Sequence, residues 1–120
     1  MSGNVKFDKW VNDDNSENYK CRAWVNFNGT GTVAIREAGN VSSITDNGTG
    51  DYTVNFTTAL TDANYVTSGM CANNIADPGT YLRFPSLIGV PLQTTSFRVK
   101  TSHPTLSPED CVLVTLAIFR

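Results

Sequence analysis

Residues 41–57 of the chain read VSSITDNGTGDYTVNFT, and this stretch decides the fold. Its second half alternates strictly, with every second residue from Tyr52 to Phe56 apolar and polar residues between them. Successive side chains of a strand point to opposite faces, so this half has one apolar and one polar side. Asn47-Gly48 separates it from the first half, and both residues accept the positive φ of a tight hairpin turn. The stretch therefore predicts a β-hairpin.

The same alternation recurs on both sides of the hairpin. The segment KCRAWVNFN, residues 20–28, has apolar residues at its odd positions. Trp24 breaks the pattern with a large aromatic ring on the outer face, where it needs cover from another element or from a partner. An irregular loop or edge is expected around residues 85–91. Further strands are predicted, between Gly, Asn, Asp and Pro, at residues 32–36, 65–72, 81–84, 96–101 and 111–119.

These strand-like segments occur without any amphipathic helix. The sequence therefore predicts an all-β domain, either an antiparallel β-sandwich or a distorted barrel.

The final apolar segment is CVLVTLAIF, residues 111–119. Ser107-Pro108 before it is typical of a helix start, but the segment is short and rich in β-branched residues, so we expect one tight turn and then a strand. Both faces of this strand are largely apolar, with Cys111, Leu113 and Phe119 sharing one of them. Two interpretations stay open: a central strand of a monomeric barrel, or a strand with one face covered by a neighbouring subunit.

Composition excludes several classes of partner. With 120 residues the chain is long enough for one domain with its own core. Its net charge is -2, and its Lys and Arg residues are scattered singly, so no nucleic-acid surface is predicted. No run approaches the roughly 20 apolar residues of a membrane span. The first residues also lack the apolar stretch of a secretory signal.

No catalytic or metal-binding pattern is visible. His103 is the single histidine, and no nucleophile motif or phosphate-binding loop accompanies it. The turn at residues 46–51 has the alternating oxygen ligands and glycines of a calcium loop, but it lacks the distal Glu. We therefore predict no enzyme, no metal and no cofactor.

Three cysteines, Cys21, Cys71 and Cys111, lie far apart in the sequence. Their odd number and wide spacing argue against a zinc site and against a disulfide framework. We expect buried free thiols, with a disulfide possible if the fold brings two of them together.

Two stretches resemble a known family. Residues 23–36, AWVNFNGTGTVAIR, and residues 40–56, NVSSITDNGTGDYTVNF, are similar to sequence near the C-terminal ends of tail-fibre and tail proteins of bacteriophages and prophages. The ending VLVTLAIFR, residues 112–120, resembles the way such chains finish. Residues 68–108 match nothing specific, as expected of partner-selecting loops on a retained scaffold.

The resemblance implies that residues 20–120 form a homotrimeric tip domain, which ends a longer fibre and attaches the particle to a bacterial surface. Trp24, Leu113 and Phe119 would lie at the trimer interface. The resemblance also implies a virion protein that is made in the bacterial cytoplasm and is extracellular when mature, and it supplies no catalytic residue. Residues 1–19 carry no matched motif and are the end of a shaft, a linker or a cloning remnant.

The expected receptor is a cell-surface glycan or an outer-membrane protein. Tyr can stack on sugar faces and Arg can donate forked hydrogen bonds, so polar and aromatic residues of the unmatched region are the candidate contacts. The alternative is a structural domain that trimerises and caps the fibre while recognition occurs elsewhere. The candidate receptor contacts are Asn73, Asn74, Asp77, Tyr81 and Arg83.

Overall fold

The computed structural model describes residues 3–17, 19–74, 83–105 and 107–120, which fold as a β-sandwich. Two four-stranded antiparallel sheets pack face to face, and the described residues contain no helix. The all-β prediction is confirmed, and the sandwich is the observed alternative because the sheets do not close into a barrel. The strands are β1 (Cys21–Asn28), β2 (Ala34–Gly39), β3 (Val41–Gly48), β4 (Asp51–Phe56), β5 (Val66–Ala72), β6 (Phe84–Leu87), β7 (Ser96–Ser102) and β8 (Leu113–Phe119).

The first sheet has the strand order β2-β1-β8-β5, and the second has the order β3-β4-β7-β6. In the second sheet β6 is an edge strand, so it pairs with a neighbouring strand on one side only. Proline has no backbone N–H and cannot hydrogen-bond to strands on both sides, and this edge position therefore tolerates Pro85. The strand predicted at residues 81–84 shares only Phe84 with β6, which runs on to Leu87; Arg83 lies outside the strand, and residues 81 and 82 lie outside the described residues.

The predicted hairpin is confirmed as β3 and β4, but its turn is shorter than expected. The strands pair as far as Gly48 opposite Asp51, so Thr49-Gly50 alone reverses the chain. Gly48 and Gly50 carry the positive φ values, 134° and 62°, whereas Asn47 stays in the strand. Glycine reaches these conformations without a side-chain clash, which explains why the turn uses the two glycines.

The last segment is a strand, as predicted, and it occupies the centre of the first sheet between β1 and β5. It begins at Leu113, because the chain bends at Val112. The bend turns Cys111 into the core, so the prediction that Cys111 shares a face with Leu113 was wrong. The tight turn predicted at residues 107–110 was also wrong: Pro108 pairs with Ser102 in a β-bridge.

The core lies between the sheets and is built from the alternating residues of β1, β4, β7 and β8. The ring of Phe27 meets Tyr52 edge-on at 5.2 Å, and Phe56 meets Tyr65 edge-on at 5.9 Å. Such aromatic pairs contribute beyond the area that they bury. The largest fully buried side chains are Tyr52, Phe27, Phe97, Ile118, Val25, Val54 and Val114.

The strand directions give the sandwich two distinct ends. One end, here called the loop end, holds the β1–β2, β3–β4, β5–β6 and β7–β8 connections. The chain enters β1 and leaves β8 at the opposite end, where Cys21 pairs with Phe119. None of the described residues belongs to a helix long and apolar enough to cross a membrane.

Candidate binding surfaces

The loop end rests on a buried network centred on Tyr52. Its hydroxyl lies 2.8 Å from the carbonyl oxygen of Gly29 and 2.8 Å from Oδ1 of Asp110. The same Asp110 oxygen accepts a hydrogen bond from the amide of Gly50 at 2.7 Å. Burial, and next the Asp110 carboxylate, raise the pKa of Tyr52 well above its ordinary value, so the phenol stays protonated as a donor. Through Gly29, Gly50 and Asp110, this network holds together the β1–β2, β3–β4 and β7–β8 connections.

Arg83, directly before β6, is fixed by an ion pair. Its Nε lies 2.8 Å from Oε2 of Glu109, and its Nη2 donates to Oε1 at 3.0 Å. Glu109 is fixed in turn through backbone and side-chain bonds to Thr101, at 3.0 and 2.6 Å. Only 5% of the Arg83 side chain is exposed, so this candidate receptor contact points inward, toward Glu109.

The other candidate receptor contacts belong to the same connection. Asn74 is exposed, and Asn73 is half-buried with an Oδ1 that accepts no hydrogen bond from the described residues. Asp77 and Tyr81 lie outside the described residues. The structure therefore places the ends of the predicted contact segment at the loop end.

The outer face of the first sheet carries an apolar surface, here called the Trp24 face. In the strand register, Trp24 of β1 lies beside Ala117 of β8, and Ala117 lies beside Ser68 of β5. Met70 is two residues further along β5, on the same face. A shallow groove runs between Trp24 and Met70 over the central strand. The exposed apolar members are Trp24 (42% exposed), Val66 (64%), Met70 (74%) and Phe119 (40%).

The three predicted interface residues all lie on this face. Trp24 points outward as predicted, and Leu113 and Phe119 stand on the same side of β8, with Leu113 half-buried. The sequence analysis did not identify Val66 and Met70 as part of this surface, although both lie on the same face of β5. Gly69 between them obscured the alternation that would have identified them.

Trp24 is seated on the backbone of its neighbouring strand. It pairs with Gly39 of β2, and a Cβ atom built on Gly39 would overlap the indole ring. The absence of a side chain at Gly39 therefore lets the ring lie along the sheet, where it widens the Trp24 face.

The outer face of the second sheet is polar, and its side chains bond to one another. Asn55 donates to the hydroxyls of Ser43 and Thr45 at 3.1 and 2.9 Å. The guanidinium of Arg98 pairs with the Asp51 carboxylate, and that pairing lowers the pKa of Asp51. This surface, here called the polar face, comprises Ser43, Thr45, Asp51, Thr53, Asn55 and Arg98.

The residues considered for metal binding or catalysis interact with other side chains or backbone groups of the domain. Oδ1 of Asp46 accepts a hydrogen bond from the amide of Gly48 at 3.0 Å, and Asp51 faces Arg98. His103 Nδ1 lies 3.0 Å from the hydroxyl of Thr105. Among the described residues, no three His, Cys, Asp or Glu side chains are grouped to hold a metal ion.

Comparison with known proteins gives no match: no family model, no curated protein and no solved structure is similar to this chain.

Proposed function

We propose that this domain is the homotrimeric tip of a bacteriophage tail fibre and that it attaches the virion to a bacterial cell-surface receptor without enzymatic activity. The proposed receptor is a glycan or an outer-membrane protein. The observation that carries the proposal is the Trp24 face, because a single chain leaves its apolar side chains open to solvent.

Burial of the Trp24 face would stabilise an assembly. Full burial of a large apolar side chain contributes roughly 1.5–3 kcal/mol, and four exposed ones lie on this one sheet. Contiguous apolar patches of this kind mark interaction sites on soluble proteins. The occupant that we propose is the same face of two further copies, which would bury Trp24, Leu113 and Phe119 together with Val66 and Met70.

The contrast between the two sheets supports this assignment. On the polar face, Asn55, Ser43 and Thr45 satisfy one another's hydrogen bonds and need no partner. On the Trp24 face, the exposed side chains include the indole of Trp24, the thioether of Met70 and the hydrocarbon side chains of Val66 and Phe119. The first sheet would therefore face the trimer axis, and the second would face solvent.

The position of the chain entry supports a role in recognition. Residue 20 lies at the end of the sandwich opposite the loop end, so a shaft that precedes it would leave the loop end facing away from the particle. Of the proposed receptor contacts, Asn73 and Asn74 lie at this end, and Arg83 pairs with Glu109 there; Asp77 and Tyr81 belong to the same connection in the sequence and lie outside the described residues. Three copies of a weak site on one trimer would bind a cell surface with a higher effective affinity.

The Trp24 face also favours a second candidate function. A domain that only trimerises and caps the fibre would need the same apolar surface, and it would need no contact at the β5–β6 connection.

The assembly is tested by measuring the solution mass by light scattering. We expect a value near three times 13.1 kDa for the unchanged protein. Met70→Lys should yield monomers, because a charge would be buried among apolar groups. Thr53→Lys, on the polar face, is the matched control and should remain trimeric. A monomeric mass for the unchanged protein at all concentrations would refute the proposed trimer.

Recognition is tested on the trimer itself, by its binding to a panel of Gram-negative cells. We expect Asn74→Ala combined with Tyr81→Ala to lower binding with the trimer mass unchanged. Arg83 is left intact, because its removal would leave Glu109 without its cation. If this variant binds cells as well as the unchanged trimer does, the contact segment is wrong. A trimer that binds no cell of the panel favours the capping function.

A further inference from the structure

Two of the three cysteines meet inside the sandwich. Cys71 lies on β5 opposite Val114, and it packs against the core cluster that contains Cys111. Val114 is three residues after Cys111, and each of the two thiols is the largest influence on the pKa of the other. Cys21 is exposed at the other end of the sandwich, where the register between β1 and β8 shifts, so its predicted burial was wrong.

We propose that Cys71 and Cys111 are a reversible disulfide site, which closes when the folded protein meets a small disulfide oxidant. The inference is independent of the proposed tail-fibre function, because it rests on two residues inside one chain.

The reaction is a thiol–disulfide exchange in two steps. The half-buried Cys71 is the more accessible thiol. As Cys71 gives its proton to the Cys111 thiolate, its sulfur attacks one sulfur of the oxidant and releases the other sulfur as a thiolate. Cys111 then passes that proton to the released thiolate and, ionised again, attacks Sγ of Cys71, which releases the second half of the oxidant. Two protein thiols lose two protons and two electrons, and the oxidant is reduced to two thiols.

The surroundings of the pair support the second step. The hydrogen bond from Cys71 lowers the pKa of Cys111, whereas that bond and burial raise the pKa of Cys71. The Arg83 guanidinium also favours the charged form of both thiols. Cys111 is therefore the thiol that ionises more readily inside the protein.

The bond would tie the end of β5 to the β7–β8 connection at the loop end. It would link β5 to the segment before β8 and enclose β6 and β7 in a covalent loop. A loop of this length strongly restricts the unfolded chain, so the oxidised protein should melt roughly 10 °C above the reduced one.

The experiment oxidises the native protein with oxidised glutathione, blocks the remaining thiols after unfolding, and maps the peptides by mass spectrometry. Trypsin separates the three cysteines, because Lys and Arg residues place them in the peptides 21–22, 37–83 and 101–120. We expect peptides 37–83 and 101–120 to be linked and lighter by two hydrogen atoms. Cys21 should be recovered without a bond to either.

Two variants that leave Cys111 unchanged test the proposal even if Cys111 is needed for folding. Cys21→Ser should retain the link and the rise in melting temperature on oxidation, and Cys71→Ser should lose both. Three results would overturn the proposal: glutathione remaining on Cys71 without a link, links through Cys21 alone, or three free thiols after equilibration with the oxidant.

Discussion

Tyr52 and Gly29 form a buried polar link between the two sheets: the hydroxyl oxygen of Tyr52, on β4, lies 2.8 Å from the carbonyl oxygen of Gly29, directly after β1. The amide of Gly29 donates in turn to the carbonyl of Cys111 at 2.8 Å. One buried side chain thus fixes the connections after β1 and before β8 relative to each other. The conformation of the loop end depends on this link.

Tyr52→Phe should lower the free energy of unfolding by about 1–3 kcal/mol, because Asp110 and Gly29 would keep their buried oxygens and lose the donor between them. Urea denaturation of the purified protein measures this loss. Tyr19→Phe is the matched control, since Tyr19 is exposed and its replacement should change stability little. Equal stability of the two variants would show that the hydroxyl bonds contribute nothing measurable.

Gly29→Ala should be more destabilising than Gly31→Ala, although only Gly31 has a positive φ. A Cβ on Gly29 would overlap the Tyr52 hydroxyl and lie 2.9 Å from the carbonyl oxygen of Cys111, which is backbone and cannot rotate away. A Cβ on Gly31 would meet nothing within 4 Å. Gly31→Ala should therefore lower the free energy of unfolding only through its left-handed backbone conformation, by about 1 kcal/mol. Thermal denaturation of both variants gives the order, and the reverse order would contradict the packing.

Alternation predicted the sandwich because it reports burial directly. Every second residue is buried from Ala23 to Phe27 in β1 and from Tyr52 to Phe56 in β4, so the strands that form the core were visible in the sequence. The bend at Val112 was not visible, because Cys111 and Leu113 are both apolar and fit either face. Tertiary bonds decide that bend: the Cys111 carbonyl is taken by Gly29, which no local pattern shows.

The candidate surfaces were predictable to different extents. Trp24 was identified as outward-facing because it stands alone among the polar residues of its strand face. Arg83 was predicted to contact a receptor, and its partner Glu109 lies 26 positions away, so only the fold could bring the two together. Met70 became part of the Trp24 face through its register with Thr115, which is also a long-range property.

Asn40 joins the two sheets at the end opposite the loop end, and its two roles can be separated by substitution. Its φ is 55°, and its side chain bonds to the carbonyls of Arg22 and Thr58 and to the amide of Thr58. Asn40→Gly keeps the conformation and loses the side-chain bonds, with an expected loss of about 1–3 kcal/mol.

Asn40→Ala should cost about 1 kcal/mol more than Asn40→Gly, because alanine also pays for the left-handed backbone. Chemical denaturation of the two variants isolates that difference. If the alanine variant is as stable as the glycine variant, the positive φ at this corner is not required by the fold.

The ion pair between Asp62 and Arg120 should make stability depend on pH. The Arg120 guanidinium donates to both carboxylate oxygens, at 3.0 and 2.9 Å. Arg120, and next the amide of Asn64, lower the pKa of Asp62 to about 2, below the roughly 3.9 of an unfolded Asp. The ionised form is therefore favoured by folding. Its contribution is fully present above about pH 4, and it is lost as the pH falls through about 2.

Asp62→Asn should accordingly lower the melting temperature at neutral pH, and the difference from the unchanged protein should shrink between about pH 4 and pH 2. Because the pair is exposed to solvent, the difference should be small and should shrink further in high salt. Arg120→Gln removes the other partner and should show the same dependence on pH and salt. A difference that stays constant across this range would mean that Asp62 acts through its bond to Asn64, which asparagine preserves, or through packing, and not through its charge.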